Sequence, residues 1–517
     1  MMRFRSMCRR RYTIPNPYPN HFALLLHTQP CDSNPTISSV IQELVQAGHF
    51  LKALELYAHH FNHGFRPDNQ TFPYILKAST QLGDPTSGFI IHNHAIKLGY
   101  DSNLFVGNSL LLFYGRFGWL EPMHYLFENM PQRNVVTWTA VISAFNQNHQ
   151  PDLAVEFFND MLVSGCRPNS FTMATLLPSF SCRQGSSQIH SFLIKSGFES
   201  DIFVSTAMID VYAKCGFMFS ARRVFDEIPE RNLISWNSMM RGHAQNGDAK
   251  KSMQLFVEMR ISGGLEPDSF SVVTALRCCA SLVSLGQGME IHGYVYRSGL
   301  ERILIVGNGL VDMYGKCGAL ELAERVFYQM QKKDVSSWTA LIICYGLNGQ
   351  GAKAISLFEK MKKTRAVSPN SVTLIAVLSA CSHSCLIEEG FGYFRDMSVD
   401  FGIEPTMIHY LCMVDMLGRA GFFQEALKFI SEMPFQANAQ IWEALLGPAT
   451  IQGDRKVAEM AAKRLVELEP ENPDLHVQLA NIYAKAGQWE DVAKIRGRMN
   501  AMRLQKITGK SLVKVVK

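Results

Sequence analysis

Short apolar stretches with helical spacing alternate with small polar turns along most of the chain. In the segment starting at Leu233, ISWNSMMRGHAQ places Trp236, Met239, Met240 and His243 on one helical face. Asn246, Gly247 and Asp248 break the pattern, and KKSMQLFVEMRIS resumes it with Met253, Leu255, Phe256 and Met259. Gly263, Gly264 and Pro267 then end the second helix. Neither helix of such a pair buries its apolar face alone, so neighbouring pairs must stack. The pattern predicts helix pairs throughout and no strand.

The pairs recur. Trp138, Trp236, Trp338 and Trp442 stand 98, 102 and 104 residues apart, each inside a similar phrase: TWTAVISAFNQN, SWNSMMRGHAQN, SWTALIICYGLN and IWEALLGPATIQ. YGRFG from Tyr114, YAKCG from Tyr212, YGKCG from Tyr314 and LGRAG from Leu417 echo between them. Each period divides into three units, of 35, 32 and 31 residues in the period starting at Val135. Such an array carries its function along its length rather than in one pocket. The tryptophans read as core anchors of the first helices.

Composition changes this picture little, charge more. Hydrophobic residues make up 47% and charged residues 18%, enough apolar surface for a continuous core. No run of eighteen apolar residues exists, so no membrane span is expected. Residues 1–33 contain Arg3, Arg5, Arg9, Arg10 and Arg11, with no acid before Asp32; such a leader predicts an organellar transit peptide. Few serines among these arginines point to the mitochondrion, with the chloroplast as the alternative. Residues 32–517 hold 45 basic and 45 acidic residues, so bulk charge does not mark a nucleic-acid binder.

The reactive residue types point to packing rather than catalysis. Cys215 and Cys317 take a repeat position held by Phe117 and Ala420 in sister copies, which predicts reduced thiols in a buried apolar slot. His92, His190 and His292 each precede a glycine by seven residues, about 100 residues apart, and are expected to serve packing or a structural hydrogen bond rather than a metal. Cys381-Ser-His383-Ser-Cys385 imitates a metal motif, but Cys381 aligns with Cys279 and Ser79 at the end of a first helix. Cytidine deamination needs H-x-E with P-C-x-x-C, and neither H-x-E nor C-x-x-C occurs. No enzyme activity, metal or cofactor is expected.

With these motifs in register, the sequence resembles the pentatricopeptide repeat family in its plant form, which rotates standard, long and short repeats. The resemblance implies an all-α, right-handed superhelical solenoid of stacked helix-turn-helix repeats. Twelve repeats fill residues 34–438, two further helix pairs resembling the family's extension region fill 439–506, and a short basic tail covers 507–517.

The family binds single-stranded RNA at about one base per repeat. By resemblance, the fifth and last residues of each repeat choose the base, and second-position residues such as Val136 and Ile234 sandwich it. Small polar residues fill the fifth place of standard and short repeats, which packing alone does not require. The pairs Thr139 with Asn169, Thr206 with Asn232 and Thr339 with Asn370 imply adenine. Asn237 with Asp268 and Asn308 with Asp334 imply uracil, Ser38 with Asp68 guanine, and Asn108 with Asn134 a pyrimidine, cytosine first. The long repeats carry Pro73, Ala174, Val273 and Ile375 at the fifth place and should read little; Leu411 with Asn438 leaves its base open. Helix capping is a second role for the last residues.

Editing factors of this family lie parallel to RNA, with the last short repeat four bases upstream of the edited cytidine. That register gives the target 5′-GnYAnAUnUAnnnnnC-3′. The chain ends soon after Trp489 without the family's deaminase-like domain, so the expectation is a site-recognition factor for cytidine-to-uridine editing. Its partners would be single-stranded organellar RNA, a deaminase recruited in trans and editing accessory proteins, with no DNA. An RNA processing, splicing or stability factor and a protein-binding scaffold are the alternatives.

Overall fold

A computed structural model describes residues 36–180, 183–261, 263–364 and 367–502, and every regular element among them is helical. The leader and the basic tail expected at the two ends lie outside the described residues. The chain forms two compact units, one ending at Pro168 and one beginning at Asn169.

The first unit contains four helix pairs, from Ile37–Gln46 with Phe50–Asn62 to Val135–Gln147 with Pro151–Val163. In the second unit the pairs run from Ser170–Leu176 with Arg183–Lys195 to Pro473–Lys485 with Trp489–Ala501. Within each unit, first helices of successive repeats pack on one another. Val335–Leu347, for example, contacts its own second helix Gly351–Thr364 and the next first helix, Ser371–His383. Second helices also contact the first helices beside them, and the first helices form one layer from Ile37–Gln46 to Val135–Gln147 in the first unit and another from Ser170–Leu176 to Ala439–Gln452 in the second.

Small residues let these helices approach. A Cβ on Gly115 would stand 2.5 Å from Ala144 Cβ, which fixes glycine there although it weakens a helix intrinsically. The turns are closed by left-handed glycines such as Gly216 and Gly318, at φ +78° and +76°. Trp138, Trp236 and Trp338 meet Phe127, Phe225 and Phe327 edge to face at 4.8, 4.8 and 5.1 Å between ring centroids. Arg133, Arg231 and Lys333 lie over the same phenylalanine rings. The tryptophans are packing anchors.

Each recurring histidine bonds a tyrosine on the next first helix: His92 Nδ1 to Tyr114 at 2.6 Å, His190 to Tyr212 at 2.7 Å, and His292 to Tyr314 at 2.8 Å. Burial lowers the pKa of all three imidazoles, which favours the neutral form. A different histidine–tyrosine pair, Tyr57 with His94 at 2.9 Å, joins the second helices Phe50–Asn62 and Pro85–Lys97, falls outside the histidine register and was not legible from the repeats.

One expectation changes. Cys215 and Cys317 are half-buried rather than fully buried, because each caps a first helix just before its left-handed glycine. There the thiols face the carbonyls of Phe180 and Cys279. The repeat starting at Ser170 has a truncated first helix, Ser170–Leu176, followed by a 3-10 turn over Leu177–Ser179. Pro178 accounts for this, since proline lacks the N–H and its ring clashes with the preceding turn.

Candidate nucleic-acid interface

The residues expected to choose bases lie on the layer of first helices. Asn108, Thr139 and Thr339 are buried there, and Ser38, Thr206, Asn237 and Asn308 are half-buried. The last residue of each repeat sits at the entry of the following first helix. Asn134, Asn169, Asn232, Asp268, Asp334 and Asn370 are all N-caps, each accepting the N–H three residues on. Asp68 accepts the N–H of Thr71 at 2.8 Å in the same way, although Gln70 is the formal cap. Capping is therefore real, and it holds these side chains at fixed places.

Two pairs touch directly. Asn237 Nδ2 donates to Asp268 Oδ1 and Oδ2 at 3.1 and 3.3 Å, and Asn308 Nδ2 donates to Asp334 Oδ1 at 3.3 Å. Burial pushes the carboxyls of Asp268 and Asp334 up, but bonds from Ser271 and Ser337 and from the two asparagines outweigh it and hold them below the usual range. The carboxylates are thus ionised and accept only.

Other pairs are joined through a third side chain. Thr71 Oγ1 reaches Ser38 Oγ at 2.9 Å and Asp68 Oδ1 at 2.6 Å. Thr137 Oγ1 reaches Asn108 Oδ1 at 2.7 Å and Asn134 Oδ1 at 3.0 Å. Thr373 Oγ1 lies 2.9 Å from Thr339 Oγ1 and 3.0 Å from Asn370 Oδ1. Thr206 and Asn232 are not joined in this way; Ser235 Oγ turns to the Asn232 carbonyl at 2.8 Å. These two line an open cleft of about 240 Å³ with Phe203, Ile234 and Arg241. Thr139 donates to the Val135 carbonyl at 2.7 Å in the first unit, and Asn169 caps Ser170–Leu176 in the second.

Second-position side chains stand out into solvent beside these groups. Phe105 and Val136 do so in the first unit; Phe171, Phe203, Ile234, Phe270, Ile305, Val372 and Ile408 do so in the second. Phe203 and Ile234, the walls of the cleft, are 66% and 56% exposed. An apolar residue recurring at one register and left exposed is not explained by packing. Polar groups flanked by flat apolar walls can read an edge and hold a face of a nucleobase.

Comparison with known proteins agrees with this architecture. Residues 133–182 and 333–383 match the PPR repeat family, and residues 203–233, 234–264, 308–335 and 408–435 match the PPR repeat. A mitochondrial pentatricopeptide repeat-containing protein of Arabidopsis thaliana, At2g03880, is 38% identical over 456 residues, covering 88% of this chain and 72% of that relative. The chain belongs to the pentatricopeptide repeat family. Residues 453–514 also match the E motif. The Arabidopsis chloroplastic protein CRR2 is 34% identical over 93% of this chain and 76% of its own length. Against At4g33990, also of Arabidopsis, identity is 37% and this pentatricopeptide repeat chain spans 60% of the relative's length. The crystal structure of maize PPR10 superposes with a TM-score of 0.58 at 20% identity, over 90% of this chain and 68% of that one. PPR10 in complex with an 18-nt psaJ RNA element gives 0.60 at 19% identity, over 90% and 73%. These two structures share the fold.

The geometry also exposes a class of residue that the repeat code does not name. Three residues after the last residue of every pair assigned a base stands a hydroxyl: Thr71, Thr137, Thr172, Ser235, Ser271, Ser337 or Thr373. All seven are buried. Their signal was present in the register of the repeats, but serine and threonine at a helix start read as ordinary capping.

Proposed function

We propose that this pentatricopeptide repeat protein binds organellar single-stranded RNA in a sequence-specific manner and selects a cytidine for editing to uridine by a deaminase recruited in trans. The observation that carries the reading is the recurrence of fixed polar pairs beside an exposed apolar stripe, repeat after repeat. Asn237 keeps one amide hydrogen and one oxygen lone pair for a base after its internal bonds are made, which suits the N3–H and carbonyl edge of uracil. The carboxylate of Asp268 disfavours the flipped amide that cytosine would need.

The names of its relatives support an organellar setting, since one is designated mitochondrial and another chloroplastic. The PPR10–RNA complex supports RNA as the ligand class. The E motif favours editing over RNA processing or stability without editing. Seven readings at roughly 1 kcal/mol each yield strong preference for 5′-GnYAnAUnUAnnnnnC-3′ without genomic uniqueness.

Sequencing of both organellar transcriptomes in a line lacking the protein tests the editing role. Loss of editing at a cytidine preceded by this sequence is expected; complete editing at every site contradicts it. Asn237→Thr tests the readout separately, with the base nine positions upstream of the edited cytidine expected to change from uracil to guanine.

A further inference from the structure

The buried hydroxyl that follows each readable repeat correlates with the fifth residue, not with capping. Asn103, Asp201 and Asn438 cap their helices through the same side-chain bonds, yet Val106, Val204 and Ile441 stand three residues later. Those caps follow Pro73, Ala174 and Leu411 at the fifth place, where no polar group needs a partner. The other apolar fifth residues, Val273 and Ile375, are followed by Val306 and His409. A cap alone therefore does not require a hydroxyl at this position. A polar fifth residue coincides with one every time.

In at least four repeats the hydroxyl touches the fifth residue itself, as Thr71 with Ser38, Thr137 with Asn108, Ser271 with Asn237 and Thr373 with Thr339. At Asn237 the arrangement is the most constrained. Ser271 Oγ lies 2.6 Å from Asn237 Oδ1 and 2.7 Å from Asp268 Oδ1, so its one hydrogen is shared between the two acceptors, while Asn237 Nδ2 donates to the Asp268 carboxylate. A donor on the oxygen side and an acceptor on the nitrogen side oppose rotation of the amide by half a turn. The repeat of Asn308 lacks the first of these: Ser337 bonds Asp334 at 2.9 Å, and Asn308 Oδ1 is buried with no partner.

We propose that the buried hydroxyls in contact with a fifth residue, Thr71, Thr137, Ser271 and Thr373, are specificity-determining positioning residues, each orienting the fifth side chain of the repeat before it. The base choice of one repeat is then set by three residues, one of them borrowed from its neighbour. This rests on the base-reading role proposed above for the fifth residues. Transplanting a fifth and a last residue without the following hydroxyl would give a less selective repeat.

The test uses the full chain and two RNAs that differ only by uracil or cytosine at the nucleotide facing Asn237. The wild type is expected to favour uracil by roughly tenfold, and Ser271→Ala to favour it by only about twofold. Ser271→Thr keeps the hydroxyl and the full preference. Ser337→Ala leaves uracil preference at the nucleotide facing Asn308 unchanged, because that hydroxyl does not touch the amide. Thr137→Val, which keeps the volume, repeats the test at Asn108 and weakens its discrimination between the two pyrimidines. Undiminished preference in Ser271→Ala, or equal weakening for both RNAs with a lower melting temperature, overturns the proposal and leaves the hydroxyl a cap. A wild type that does not distinguish the two RNAs defeats the base-reading role itself, and this proposal with it.

Discussion

Asn237 Nδ2 donates to both oxygens of the Asp268 carboxylate, at 3.1 and 3.3 Å, although the two residues are 31 positions apart. The carboxylate holds the nitrogen end of the amide inward because it has no hydrogen to offer. Asp268→Asn removes that asymmetry, since a second amide can accept or donate. The variant is expected to accept cytosine about as well as uracil at the facing nucleotide, measured by competition between two RNAs. Retained uracil preference would show that Asp268 does not orient Asn237.

The Asn237–Asp268 relationship also has a pH signature. The lowered pKa of Asp268 and Asp334 keeps both carboxylates ionised well below neutrality. Stability and orientation from their bonds are present above the unfolded carboxylate value of about 3.9 and are lost as pH falls through the lower folded values. Uracil preference is therefore expected to be flat between about pH 5 and 8. A decline across that range in RNA-binding titrations would point to another group.

Global stability should respond to acid earlier. Burial lowers the pKa of His94 from 6.5 to about 4, and shifts His92, His190 and His292 in the same direction. The unfolded chain then takes up protons first, so their contribution is complete above 6.5 and is lost as pH falls towards the folded values. Melting temperature is expected to drop between pH 6.5 and about 4. Tyr114→Phe removes the partner of His92 and should cost about 1–3 kcal/mol at neutral pH, read from denaturant melts.

Close helix approach makes Gly115 a sensitive position. Gly115→Ala gains about 1 kcal/mol in helix propensity but drives a methyl to 2.5 Å from Ala144 Cβ. Overpacking of this kind costs about 1–3 kcal/mol, so a net loss is expected in denaturant unfolding. Phe225→Ala, which empties the contact beneath Trp236, should cost about 3–5 kcal/mol. A neutral outcome at either site would contradict the packing described.

Much of this was legible because repetition converts one local reading into many. The phrase around Trp236 already contained the helix pair, its turn and its anchor, and the register then located Asn237 and Asp268. Pro178 lay in plain view, but the repeat pattern locates helix pairs without giving the length of each helix. Cys215 was misplaced because exchange with phenylalanine and alanine indicates an apolar neighbourhood, not the depth of a capping position. Ser271 was missed for another reason. Its relation to Asn237 depends on contact between repeats, and a periodic sequence shows positions without showing which of them meet across the boundary.

Equilibrium binding of the purified chain to two RNAs of identical composition tests the central claim most directly. One carries 5′-GnYAnAUnUA-3′ and the other the same nucleotides in reverse order. With each mismatch costing about 1 kcal/mol or more, the forward RNA should bind at least roughly a hundredfold more tightly. Equal affinity for the two would contradict base reading by the paired residues.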